Sequence, residues 1–166
     1  MSGRQQKGRV LVIGLGNPDR GDDGIGPLVA GILAGEDLQG VSVIVRSGDA
    51  LSLIEDWAGA DAVVMIDAAA AVRRPGCIQR IDLAAESLPR NLRPPSTHAF
   101  GMAEAIALAR TLNRLPPQLV VYAIEGACFD PGAEMTAEVA AAAGEVAARV
   151  TGELLRLRHV EGLAHA

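Results

Sequence analysis

Aromatic side chains are nearly absent: one Trp, one Tyr and two Phe among 166 residues. The core must therefore come from Val, Ile, Leu and Ala, and a hydrophobic fraction of 49% supplies enough of them. Basic charge is also scarce. The net charge is −5, and no dense run of Lys and Arg interleaved with aromatics occurs, which speaks against nucleic acid as a partner. Cysteine is limited to Cys77 and Cys128, which form no CxxC pair and suggest no disulfide framework. No apolar stretch approaches the ~20 residues of a membrane helix. The run Val10–Gly16 after Arg4 and Lys7 is too short for a signal peptide and lacks a small-residue cleavage site. The expectation is a soluble, cytoplasmic protein with a single domain over residues 1–158 and a loose tail over 159–166.

Nucleophile signatures are missing too. There is no GxSxG elbow, and no Ser or Cys is tied to a His by a recognisable pattern; Ser96 lies near His98 by chance. A hydrolase built from these residues would have to use a metal-activated water.

What is present is a series of short β-branched runs. Val10–Ile13, Val41–Val45, Ala62–Ile66 and Leu119–Ala123 read as buried strands of a parallel sheet covered on both faces. Helices are expected from about Gly24 to Ala34, over Leu51–Ala58, over Met102–Leu112 and over Met135–Leu157. The connection Ala68–Gly76 is too short for a helical crossover, so Cys77–Ile81 is expected to pair antiparallel and make the sheet mixed.

The most informative stretch is GLGNPDRGDDGIG, residues 14–26. It opens like a dinucleotide loop, with Gly14 and Gly16 expected to turn the chain off the first strand. The third glycine of that fingerprint is missing, however, and Asp22 and Asp23 stand where a pyrophosphate would bind. A nucleotide is therefore not expected. Asp22 reads as the N-cap of the following helix, and that task needs only one of the two aspartates.

Ligands of open α/β sheets bind beyond the carboxyl ends of the strands. Asp23 follows strand one, Asp67 ends the apolar run AVVMI, and His98 lies in PPSTHAFG before the third helix. Read singly, each has a bland account as a turn or loop residue. Read together, two carboxylates and an imidazole suit a borderline divalent metal such as Ni, Zn or Fe. Asp49, in SGDA after strand two, reads as a ribose ligand or a turn residue.

These residues resemble the maturation endopeptidases of [NiFe] hydrogenases. The resemblance runs through VLVIGLGNPDRGDDGIGPLVA, SGDA, VVMIDAA, PPSTHAFG and EMTAEVAAA, in the family's order. It implies a three-layer αβα sandwich around a twisted, mostly parallel mixed sheet of about five strands. It also implies a metal-dependent endopeptidase that removes the C-terminal extension of the hydrogenase large-subunit precursor. Asp23, Asp67 and His98 would contact nickel carried by that substrate. Gly48, Asp49 and Glu125 are the further candidates for holding the substrate, although Ile124-Glu125-Gly126 departs from the family's Glu/Gln-Pro step. The expected protein is a monomer that uses no nucleotide and contacts no membrane.

Two other readings stand beside this one. A metal- or nucleotide-binding accessory module would keep the site without cleaving anything. The peptidyl-tRNA hydrolases share GLGNP, but carry Thr-Arg-His-Asn where this chain has Asp22-Asp23-Gly24.

Overall fold

A computed structural model describes residues 8–89 and 101–164, with side chains as far as residue 159. The elements run β1 (Val10–Leu15), a 3-10 turn (Gly21–Gly24), α1 (Ile25–Ala34), β2 (Val41–Arg46), α2 (Ala50–Trp57), β3 (Ala62–Ala70), β4 (Ile78–Asp82), α3 (Met102–Thr111), β5 (Gln118–Gly126) and α4 (Ala137–Ala164). The five strands form one sheet in the order β2-β1-β3-β5-β4. Four strands are parallel, and β4 runs antiparallel along β5. This is the mixed sheet expected from the short β3–β4 connection.

Alternation along the strands divides the core in two. Val10, Val12, Val64, Ile66, Val120 and Ile124 pack under α1 and α4. Leu11, Ile13, Val63, Met65, Leu119 and Val121 pack under α2 and α3. Because both faces are covered, β1 is buried along its whole length and its sequence reads as an unbroken apolar run. The result is a three-layer αβα sandwich. The single Trp, Trp57, fills the α2 layer, and aliphatic side chains and alanines do most of the remaining work.

The connections define a crevice. From β1 the chain crosses to β2 on one side, then returns past β1 to β3 on the other. Strand order thus reverses between β1 and β3, the place where neighbouring loops part and leave room for a ligand. α1 is seated directly over this place. A Cβ on Gly26 would collide with the Leu15 carbonyl and stand 2.6 Å from the Ile66 carbonyl, so only glycine lets the helix descend so far. Gly14 is the facing half of that contact: a Cβ there would stand 2.7 Å from the Ala30 Cβ. Gly14 therefore serves close helix packing inside β1, while the turn itself is made by Gly16 at φ 134°.

Several boundaries differ from the sequence reading. β3 continues through Asp67-Ala68-Ala69-Ala70, because those residues pair with Ala123–Gly126 of β5. Sheet pairing overrides the weak strand preference of alanine. β4 starts at Ile78, which leaves Cys77 in the preceding turn, where its carbonyl accepts the Glu125 N–H at 2.9 Å. α4 runs to Ala164 and absorbs most of the segment expected to be a loose tail from residue 159. Val160, Glu161, Leu163 and Ala164 include no proline, and one glycine, Gly162, does not stop the helix.

One buried ionic network ties α4 to the sheet. Glu153 accepts from Arg80 Nε at 2.7 Å, from the Tyr122 hydroxyl at 2.9 Å and from Arg156. The Arg80 contact, helped by Arg156 and Tyr122 against the cost of burial, depresses the Glu153 pKa from 4.5 to about 2. A folded value below the unfolded one means the stabilisation is complete above about pH 4.5 and is lost as pH falls toward 2. Its size is at most on the order of 3 kcal/mol, reduced by solvent around the part-exposed arginines. Urea midpoints measured between pH 7 and pH 3 should fall for the native chain, and fall less steeply for Glu153→Gln. Parallel curves would remove Glu153 from the acid response.

Candidate functional site

The loop after β1 carries two adjacent aspartates with different surroundings. Asp22 is fully buried. One carboxylate oxygen accepts the backbone N–H groups of Ala127 (2.7 Å) and Cys128 (3.0 Å). The other accepts the Thr136 N–H at 2.7 Å, and the Thr136 hydroxyl donates to the same carboxylate at 2.9 Å. Burial alone would raise its pKa, but the N–H groups of Ala127, Thr136 and Cys128 outweigh that and hold it below the usual range. Asp22 is therefore not the N-cap expected from the sequence. Gly24 occupies the cap position of α1, with no side-chain cap bond. A 3-10 turn turns the Asp22 side chain away from α1 and into the loop between β5 and α4.

Asp23 stays at the rim. One of its oxygens accepts the Asn17 N–H at 2.9 Å, which closes the loop on itself. Gly16 backs this arrangement, since a Cβ there would collide with the Asp23 carbonyl. Asp67 continues the row of Val63 and Met65 one step beyond the last β1–β3 pair, Gly14 with Ile66. β1 has turned away by that point, so Asp67 faces the crevice, with one oxygen accepting the Ala68 N–H at 2.8 Å.

The two carboxylates meet there. Asp67 keeps some accessible surface, but protein closely surrounds it; burial first, and the negative charge of Asp23 second, push its pKa well above the usual carboxylate range. The Asp23 charge thus opposes ionisation of Asp67, and a cation placed between two such carboxylates relieves that conflict. Carboxylate oxygens suit divalent ions, and one imidazole added to them would favour a borderline metal. His98, the third expected donor, lies outside the described residues; the described chain resumes at Gly101, just before α3. Among the described residues no group of three or more His, Cys, Asp and Glu is placed to hold a metal.

The other candidates have definite local tasks. Asp49 caps α2, accepting the Leu51 N–H at 2.8 Å and the Ser52 N–H at 3.4 Å. Gly48, at φ 106°, lies against Gly101, whose Cβ would collide with the Gly48 carbonyl. The β2–α2 loop thus abuts the backbone from which α3 begins. Glu125 sits on β5 opposite Ala69, at the same edge of the sheet as Asp67. Its buried carboxylate accepts the N–H groups of Arg73 (3.1 Å) and Arg74 (3.0 Å). Burial would raise its pKa, yet the N–H groups of Arg74, Arg73 and Val72 hold it below the ordinary value. It therefore anchors the β3–β4 loop. Thr136 was missed by sequence reasoning; its one legible signal is a threonine just before an alanine-rich helix, in EMTAEV.

The adjacent aspartates should separate by substitution. Asp22→Ala leaves three part-buried N–H groups and a hydroxyl without their acceptor, at up to ~1–3 kcal/mol each when unpaired. A loss above about 3 kcal/mol is expected, beyond the ~0.5–2 kcal/mol of an ordinary N-cap. Asp23→Asn should change stability by less than about 1 kcal/mol, since it removes a repulsion as well as an acceptor. Equilibrium denaturation of both variants measures this, and equal losses would refute the division of labour.

Comparison with known proteins agrees with this architecture. The model of the family HycI, hydrogenase maturation protease, matches residues 37–153. The hydrogenase maturating endopeptidase HybD from E. coli superposes with a TM-score of 0.73 at 21% identity, covering 89% of this chain and 93% of that one. The [NiFe] hydrogenase maturation protease HybD from Thermococcus kodakarensis gives 0.64 at 27% identity, covering 88% and 98%. A hydrogenase 2 maturation peptidase from a Thaumarchaeota archaeon gives 0.64 at 25% identity, covering 88% and 97%. Curated protein sequences returned no match. The match to the family model spans more than half of the sequence, and the five-stranded mixed sheet agrees with it: the chain belongs to the hydrogenase maturation protease family.

Proposed function

We propose that this chain removes the C-terminal extension of a [NiFe]-hydrogenase large-subunit precursor, and that it recognises nickel already held by that substrate. Asp23, Asp67 and His98 are assigned as the contacts to the metal. The observation that carries the reading is the pair Asp23 and Asp67, drawn from two different strand ends to one crevice. There burial first, and the charge of Asp23 second, raise the Asp67 pKa. Such a pair favours the arrival of a cation, and a substrate that brings one satisfies it only when correctly loaded.

Hydrolysis adds a water oxygen to the carbonyl carbon, breaks the C–N bond and delivers a proton to the departing amine. The metal of the substrate and the two carboxylates supply what the step needs: polarisation of the carbonyl or water, and acceptance of a proton. The cysteines have other surroundings. The Cys128 thiol donates to Asp130 at 3.7 Å, and both backbone polar groups of Cys128 are engaged by the Asp22 residue. Gly48, Asp49 and Glu125 act on substrate through the loops they hold. No helix among the described residues is long and apolar enough to cross a membrane, which suits a precursor met in solution.

The deciding experiment incubates the enzyme with nickel-loaded and nickel-free extended precursor and follows both by mass. The loaded form alone should lose its extension. Cleavage of both at equal rates, or of neither, would sink the metal-recognition reading. Asp67→Asn and His98→Gln should each lower processing of the loaded form by at least about 10²-fold with the fold intact. Retention of the native rate by His98→Gln would remove the imidazole from the site. Cys128→Ser should process normally.

A further inference from the structure

A second surface adjoins the loop that carries Asp23, on the face of the sheet covered by α1 and α4. It is an open groove of about 790 Å³ between the loop after β1 and the start of α4. Pro18, Pro27, Leu28, Met135 and Ala140 give it apolar walls, and Gly24 carries its lining to the residue next to Asp23. Leu28 is 42% exposed and Ile32, one turn further along α1, is 37% exposed, so an apolar stripe continues out of the groove.

Two acids, Asp19 and Glu134, belong to the same lining. Both are exposed, and among the described residues neither side chain has an ion-pair partner. Among the described residues, none that is basic lines the groove. The walls are also firmly built. Asp22 fastens one to the other, and Gly21 N–H donates to the Ala133 carbonyl at 3.0 Å across the join. An apolar concavity edged by unpaired carboxylates matches a segment that offers an apolar side chain and a Lys or Arg together.

We propose that this groove docks such a basic, apolar-bearing segment of the large-subunit precursor, outside the peptide being cut. The proposal rests on the reading of the chain as a precursor-processing enzyme. The apolar side chain lies against Leu28 and Met135, and the cationic group reaches Asp19 and Glu134. Docking here fixes the precursor body beside the loop that carries Asp23, and it is independent of nickel.

Binding of nickel-free extended precursor to the native enzyme, read by biolayer interferometry, tests this without turnover. Leu28→Arg, and separately the double change Asp19→Lys with Glu134→Lys, should each weaken binding by about tenfold or more. Native binding should also weaken with added salt. Leu112→Arg and Leu155→Arg, at exposed leucines outside the groove, should not weaken it. Ala140→Arg, at an exposed helical position, repeats the test should Leu28→Arg fail to fold. With nickel-loaded precursor, the groove variants should raise KM and leave kcat near the native value.

Affinities within twofold of native in the groove variants would overturn the proposal. So would equal losses in the leucine controls, or no measurable binding by the native enzyme. Concentration-dependent self-association abolished by Leu28→Arg would assign the groove to a second copy of this chain and overturn it as well. The two readings fail separately. Groove-dependent binding without any processing of loaded precursor would leave the groove standing and sink the cleavage reading. Processing with an unchanged KM in the groove variants would sink the groove alone.

Discussion

The buried carboxylate of Asp22 is the constraint on which the upper edge of this molecule depends. Three backbone N–H groups and a hydroxyl converge on it from Ala127, Cys128 and Thr136, all more than 100 positions away in the chain. An anion is costly to bury, and it is tolerated here because these hydrogen bonds offset the cost. The arrangement is therefore cooperative: the loop after β1, the exit from β5 and the start of α4 are held as one body or not at all. Neither partner loop has a regular ladder to hold it at these points, so the side chain of one residue substitutes for secondary structure.

One of the two candidate carboxylates is carried by that body. Asp23 follows Asp22 directly, and its position is set by the same 3-10 turn. Asp67 needs no loop to place it, because it belongs to β3 and is registered against Ala123 by the sheet. The site therefore pairs a residue from rigid β structure with one from a fastened loop. The close approach of Gly26 to the carbonyls of Leu15 and Ile66 brings α1 down onto the strand ends that present them. Strand order reverses at this point, so α1 and α2 leave on opposite faces of the sheet.

The sequence was most legible where one physical rule acts alone. Val10–Ile13 and Leu119–Ala123 read as buried strands because their apolar residues continue through both faces, and they lie within β1 and β5. The antiparallel β4 followed from the length of a connection. Boundaries were less legible where partners decide them: Ala68–Ala70 is strand because β5 lies beside it, and alanines carry no sign of that. Asp22 was misread for a related reason. A capping aspartate and a cross-linking one look alike in sequence, and what separates them is a set of donors contributed by distant loops. Asp23 and Asp67 were legible as neighbours through the strand-end rule, whereas their mutual electrostatic conflict required coordinates.

Two adjacent aspartates thus have different surroundings, and the difference has a geometric cause. Within a 3-10 turn successive side chains leave the backbone about 120° apart, so consecutive residues cannot serve the same surface. Asp22 turns inward to the β5–α4 loop and Asp23 remains at the crevice. The same loop forms one wall of the acidic, apolar groove through Pro18, Asp19 and Gly24. A single short segment therefore borders both the carboxylate pair and the groove, and the lock at Asp22 keeps their separation constant. Under the proposed function, a precursor docked in the groove would meet the crevice at a fixed offset, which would convert docking of its body into placement of its scissile segment. Loosening Asp22 would disturb both contacts together, although neither contact involves Asp22 itself.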